Sequence, residues 1–196
     1  MDEPADYIDL QYRWCKAEDY SYENPSVVGS IERVDQVNSS LEKAGIPVGR
    51  VLVIGPRWGH ELITFSEHTE EPVAGIEPVP VFAEICRSEG LQVIESTIEK
   101  ATLTEGNWNI YASHSLEHCY DRDKAIEKLK LCCKDWFYLE SPVEPKEVKD
   151  KAHLSPFRSR KEITDYFHGW KVIAVKFTDE ERPDKNHVAG FLFGKP

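Results

Sequence analysis

Apolar positions recur along this chain in two alternating patterns. Ile31, Val34, Val37, Leu41 and Ala44 fall at helical spacing, and Gly45 followed by Pro47 stops that helix. The next apolar run, RVLVIG (50–55), is short and continuous, the pattern of a strand buried on both faces of a parallel sheet. A turn over 55–59 leads into HELITFSEH (60–68), a short predicted helix. The alternation then repeats. VAGIE (73–77) reads as a strand, and Val79, Phe82, Ala83 and Cys86 mark a helix face that Gly90 closes. LQVIES (91–96) and WNIYAS (108–113) are the third and fourth strands. Asp121 caps a helix that gathers Ala125, Ile126, Leu129, Cys132 and Cys133 on one face. DWFYLES (135–141) is a fifth strand. Ser159 and Glu162 form a capping box that opens a helix through Phe167. WKVIAVKF (170–177) and HVAGFLFG (187–194) are two final strands. The first 25 or so residues show no clear period, although they are rich in Tyr and Trp.

Strand–helix alternation with continuous apolar strands predicts an α/β sheet with helices on both faces. The last two strands, with no helix between them, predict an antiparallel hairpin at one edge. The length, 196 residues, fits a single domain over 1–196. The net charge of -11 argues against gripping a nucleic-acid duplex. No apolar run is long enough to span a bilayer, so no membrane partner is expected, and the acidic MDEPADYIDL does not read as a signal peptide. Five cysteines without a CxxC spacing predict free thiols, hence a reducing, cytoplasmic setting. The charge is unevenly spread. Residues 58–86 carry six acids and no Lys or Arg, whereas 145–161 carry six bases against two acids.

Ligands of such sheets bind at the carboxyl ends of the strands. The first strand–turn–helix is VLVIGPRWGHE, in which Gly55 allows a sharp turn and Gly59 allows close approach and helix entry. Glu77 ends the second strand 22 residues after Gly55. An acid about 20 residues on is where ribose hydroxyls are bound in nucleotide-binding βαβ units, and a carboxylate can accept from both hydroxyls of a vicinal diol. The same residues also fit an ordinary βα turn with an exposed Glu. His60 and His68, eight residues apart without HExxH, read as a surface helix, and no metal site is assigned.

After the fourth strand stands His114-Ser115-Leu116-Glu117-His118, within WNIYASHSLEHCYDRDKA. With Gly55, Gly59 and Glu77, this segment resembles class I S-adenosylmethionine-dependent methyltransferases, in particular the small-molecule group that carries His-x-Leu-Glu-His there. The resemblance runs from about Arg50 to Glu144 and more loosely to the end. It departs from the family at three points. Val53 replaces the acid before the first glycine, Arg57 replaces the middle glycine, and Thr97 replaces the acid that reaches the adenine amino group.

The resemblance implies a Rossmann-like three-layer sandwich, with a mostly parallel seven-stranded sheet in the order 3-2-1-4-5-7-6 and an antiparallel last strand. It implies S-adenosylmethionine as cofactor, S-adenosylhomocysteine as product, and in-line methyl transfer to a small acceptor, most simply at oxygen. The implied cofactor-binding residues are Gly55, Pro56, Arg57, Trp58, Gly59, Glu77, Pro78, Thr97, Ile98, Ser113 and His114. His114 and His153 are the candidate bases, and Glu117 and His118 are expected to order their loop. Residues 1–30 become a candidate lid over a core at 31–196, and 141–160 an acceptor-side loop. The basic charge around His153 suggests an anionic acceptor. Two other readings use the same residues: an adenosyl-binding protein without catalysis, motivated by Val53, Arg57 and Thr97, and an NAD-type oxidoreductase, which the missing third glycine disfavours.

Overall fold

A computed structural model describes residues 6–16, 25–145, 151–177 and 187–196. The continuous apolar runs become the centre of the sheet. Strand β1 (Val51–Ile54) is buried at every position, and β2 (Val73–Glu77), β3 (Gln92–Glu95) and β4 (Trp108–Ser113) lie parallel around it. β5 (Cys133–Val143) is parallel to β4. β7 (His187–Gly194) pairs antiparallel with both β5 and β6 (Lys171–Phe177). The sheet order is 3-2-1-4-5-7-6, as expected from the sequence.

Successive side chains on a strand point to opposite faces, and this divides the core in two. Val51, Val53, Tyr111, Trp136 and Tyr138 face helices α2 (Pro25–Ala44) and α3 (His60–His68), where they meet Val34, Val37, Leu41, Leu62 and Phe65. Leu52, Ile54, Ile110, Phe137 and Leu139 face α5 (Arg122–Cys132) and α6 (Arg160–Tyr166), meeting Ala125, Ile126, Leu129 and Ile163. Helix α4 (Pro80–Ser88) covers the β2–β3 edge.

Local signals act as their chemistry requires. The Asp121 side chain accepts from the Lys124 amide, and the Ser159 hydroxyl accepts from the Glu162 amide. Glu162 closes the box one residue early, since its carboxylate accepts from the Arg158 amide at 2.6 Å. Asn109 is fully buried where the β4–β5 register shifts. Its Oδ1 accepts from the Asp135 and Trp136 amides at 2.8 and 3.2 Å, and its Nδ2 donates to the Val48 carbonyl at 2.8 Å. The four cysteines whose side chains are described, Cys86, Cys119, Cys132 and Cys133, are free and buried.

Two differences from the sequence reading lie at the N-terminus. α2 begins at Pro25 rather than Ile31, because buried Val27 extends the apolar stripe by one turn. A further helix, α1 (Tyr7–Lys16), occupies the segment that shows no clear period. It is held by long-range contacts: the Tyr7 ring meets the Tyr120 ring edge-on at 5.7 Å, and Gln11 Nε2 donates to the Ala152 carbonyl at 3.3 Å. Tyr20 and Tyr22, also read as part of a candidate lid, lie outside the described residues, as do Lys146 and Lys149 of the basic segment. Among the described residues, no helix is long and apolar enough to cross a membrane.

Candidate active site

The carboxyl ends of β1, β2 and β4, the turn after β3 and helix α1 converge on one open cleft. Its apolar wall includes Ile54, Ile76, Val79 and Ile98, and its polar groups include Gln11, Arg57, Glu77, Thr97, His114 and His118. Of the expected cofactor residues, Gly55, Arg57, Glu77, Pro78, Thr97, Ile98 and His114 line this cleft. Tyr7, Gln11, Ser115, His118 and Cys119 join them without having been singled out for it.

Pro56, Trp58, Gly59 and Ser113 are placed beside the lining rather than in it. Trp58 packs on Phe82 at 5.3 Å between ring centroids. The Pro56 ring fills the space above Gly75, where an added Cβ would lie 2.6 Å from Pro56 Cγ. Gly59 has φ 85 and abuts the β3 side of the core, where an added Cβ would lie 2.4 Å from Leu91 Cδ1. Gly59 thus serves helix–strand packing.

Glu77 organises the first turn. Its Oε2 accepts from the Arg57 amide and its Oε1 from the Val79 amide, each at 3.0 Å, so one carboxylate ties the turn after β1 to the turn after β2. Burial pushes its pKa up to about 7, against the opposing pull of those two amides and the Arg57 charge. A carboxylate has about four acceptor sites, and two of these are used. Arg57 itself has φ 48, the left-handed region that its missing glycine would favour. Thr97 is 5% exposed, and its Oγ1 has no hydrogen-bond partner among the described residues.

His114 also has φ 49 and sits at the end of β4. Its amide donates to the Glu140 carbonyl at 2.8 Å, and its Nε2 lies 3.3 Å from Glu140 Oε1. Glu140 also meets Arg33 Nε at 3.3 Å and accepts from the Tyr138 hydroxyl at 2.7 Å. Burial opposes its charge, but the bonds from His114 and Tyr138 and the charges of His114 and Arg33 outweigh it and hold the carboxyl below its ordinary value.

Leu116–His118 form a 3-10 turn whose residues are all buried. Glu117 Oε2 accepts from the Ser141 hydroxyl at 3.0 Å, and the Glu117 carbonyl accepts from the Ser155 amide at 3.0 Å. His118 Nδ1 lies 3.0 Å from the Ala152 carbonyl, and burial pushes its pKa down. Both residues therefore hold the loop, as their position suggested. His153 is not in the cleft lining. Its Nδ1 is 3.2 Å from Glu144 Oε1, and its ring meets the His118 ring edge-on at 4.9 Å. Among the basic residues near it, Arg158 Nη1 donates to the Glu144 carbonyl at 2.9 Å and Arg160 Nε meets His187 Nε2 at 3.2 Å.

No protein-family model matches the sequence, and no curated protein matches it. Many solved structures share its architecture. A Galdieria sulphuraria protein assigned as a sarcosine dimethylglycine methyltransferase superposes with a TM-score of 0.72 at 13% identity, over 97% of this chain and 98% of that one. A geranyl diphosphate methyltransferase in complex with S-adenosylmethionine gives a TM-score of 0.69 at 11% identity, over 85% of each chain. The [4+2]-cyclase SpnF gives a TM-score of 0.63 at 12% identity, over 83% of this chain and 80% of that one. The fold is that of the class I methyltransferases. In this methyltransferase fold, the cleft lies at the carboxyl ends of the strands beside β1, where the sheet order reverses. Since a cyclase shares the fold, the chemistry must be argued from the cleft itself.

Proposed function

We propose that this protein binds S-adenosylmethionine in the cleft and transfers its methyl group to a small hydroxyl-bearing acceptor. The observation that carries the reading is the pairing of Glu77 with Thr97 across an apolar cleft. Glu77 is fixed by two amides and retains acceptor capacity for a ribose diol. Thr97 places after β3 a buried hydroxyl without a partner among the described residues, where an adenine amino group would satisfy it, and Ile54, Ile76, Val79 and Ile98 supply an apolar surface for the ring. Arg57, the basic residue of the lining, suits the carboxylate of the methionine end.

Bound S-adenosylmethionine supplies an electrophilic methyl group on a sulfonium. The protein's part is to place the acceptor in line with it and exclude water. His114 is the candidate base because it lines the cleft and Glu140 holds its ring by Nε2. His153 lies outside the lining, with its Nδ1 turned to Glu144. α1 acts as the lid, with Tyr7 and Gln11 in the cleft wall. The anionic acceptor suggested by charge loses two candidate contacts, because Arg158 and Arg160 are engaged with Glu144 and His187.

Calorimetric titration with S-adenosylmethionine, S-adenosylhomocysteine and NAD tests the reading. Binding of both adenosyl ligands and not of NAD is expected. Absence of adenosyl binding overturns the proposal. Binding without turnover over a panel of hydroxyl acceptors would favour the non-catalytic alternative.

A further inference from the structure

Glu117, His118 and His153 come together although 35 residues separate the two histidines. One ligand atom from each lies within 4.8 Å of the others. The hydrogen bonds around them fix which atoms face one another. His118 uses Nδ1 on the Ala152 carbonyl and His153 uses Nδ1 on the Glu144 carboxylate. An imidazole that donates from Nδ1 to an oxygen carries its lone pair on Nε2, which is how metal-ligating histidines are oriented. Glu144 thereby stands behind His153 as its orienting carboxylate.

A second, independent observation is Glu117 itself. The residue is fully buried, and its Oε1 has no hydrogen-bond partner among the described residues. His114 Nδ1 lies 3.8 Å from that oxygen, beyond hydrogen-bond distance. Among the described residues, its other oxygen accepts a neutral hydroxyl, from Ser141. A buried carboxylate with one neutral donor carries a large desolvation cost unless a cation offsets it.

We infer that Glu117, His118 and His153 bind a divalent first-row transition metal ion, such as Zn²⁺ or Co²⁺, at the acceptor end of the cleft. Two imidazoles and one carboxylate suit these ions better than Mg²⁺ or Ca²⁺, which prefer all-oxygen sets. Three protein ligands leave positions open for water or substrate. His118 also lines the cleft that holds Glu77 and Thr97, so an acceptor hydroxyl could occupy an open position. Bound there, its O–H bond breaks more readily, with the proton passing to His114, the candidate base, and the oxygen staying on the ion. This use of the ion rests on the methyl-transfer reading, but the site itself does not.

The test is titration of the metal-free full chain with Co²⁺, followed by its visible absorption bands, with Zn²⁺ competition and Mg²⁺ in parallel. One equivalent of Co²⁺ should bind, Zn²⁺ should displace it, and Mg²⁺ should not. His153→Ala and Glu117→Gln should each weaken Co²⁺ binding at least tenfold. Because Glu117 is fully buried and its variant could fail to fold, His153→Ala carries the test, with circular dichroism to verify its fold. Absence of saturable Co²⁺ uptake by the wild type, or uptake undiminished in folded His153→Ala, overturns the site. S-adenosylhomocysteine titrated into the same metal-free samples separates the two proposals. Adenosyl binding without metal uptake overturns only the metal site, and metal uptake without adenosyl binding overturns only the methyltransferase reading.

Discussion

Glu77 should make both stability and ligand affinity depend on pH near neutrality. The residue is 2% exposed, and burial raises its pKa from 4.5 to about 7. Between those values the folded protein holds a proton that the unfolded chain has released, so stability falls as pH rises. The contribution is fully present below the unfolded pKa and is lost as pH climbs through about 7. At about 1.36 kcal/mol per unit, the whole loss is about 3 kcal/mol, of which about 2–3 kcal/mol falls between pH 5 and 8. Glu77→Gln is neutral throughout and keeps the side-chain shape. It forfeits one of the two amide bonds, which gives an offset that does not vary with pH. Urea unfolding of both proteins at several pH values should show the variant gaining about 2–3 kcal/mol on the wild type from pH 5 to 8. Parallel pH curves would refute the argument.

The ligand side follows from the same titration. Only the ionised carboxylate can accept from both hydroxyls of a diol. S-adenosylhomocysteine should therefore bind about tenfold more tightly at pH 8 than at pH 6, releasing a proton where Glu77 starts protonated. Calorimetry in buffers of different ionisation enthalpy reads that proton directly. A wild-type affinity as flat with pH as that of Glu77→Gln would show that Glu77 does not meet the ligand.

Three further outcomes are expected. Gly75→Ala would set a Cβ 2.6 Å from the Pro56 ring; thermal unfolding should show a loss of about 1–3 kcal/mol, as for other overpacked cores, with weaker adenosyl binding from the displaced turn. Asn109→Ala leaves the amides of Asp135 and Trp136 and the Val48 carbonyl without their partner, and denaturant unfolding should register a loss of about 2–4 kcal/mol. Arg122 donates to the Ser155 carbonyl, pairs with Glu162 and lies 4.2 Å over the Phe157 ring; Arg122→Ala should cost about 1–3 kcal/mol and speed hydrogen exchange across 151–158, while exchange in β1 stays unchanged.

Elements whose cause is local were legible in the sequence. HELITFSEH and HVAGFLFG carry their own periods and form α3 and β7 over the predicted residues. The caps at Asp121 and Ser159 act within one turn of the chain. The strand order came from the family resemblance, since pairing β1 with both β2 and β4 is not written in any one segment. α1 was missed although Tyr7, Leu10, Gln11 and Trp14 fall at helical spacing, because a polar Gln sits at a core position. That Gln is buried for its bond to Ala152, 141 residues away. The cluster of Glu117, His118 and His153 escaped for the same reason. Metal motifs are recognised by short spacing, and here a returning loop supplies the third ligand.

The His-x-Leu-Glu-His segment works as one device rather than as two histidines with a spacer. His114 binds the end of β5 through Glu140. Leu116 is buried in the face that α5 covers. Glu117 holds Ser141 on β5 and the Ser155 amide on the loop, and His118 holds the same loop at Ala152. Together these residues fasten the end of β4 to β5, to the face under α5 and to the 151–155 loop, and the positive φ of His114 turns the backbone at the start of the segment. Such strain, on the order of 1–3 kcal/mol, persists only where surrounding contacts over-determine it. The Ala152 carbonyl meets both His118 and Gln11 of α1. The segment, the 151–155 loop and α1 are thus joined through one carbonyl. This coupling explains why a five-residue segment far from the glycine turn can shape the whole open side of the cleft.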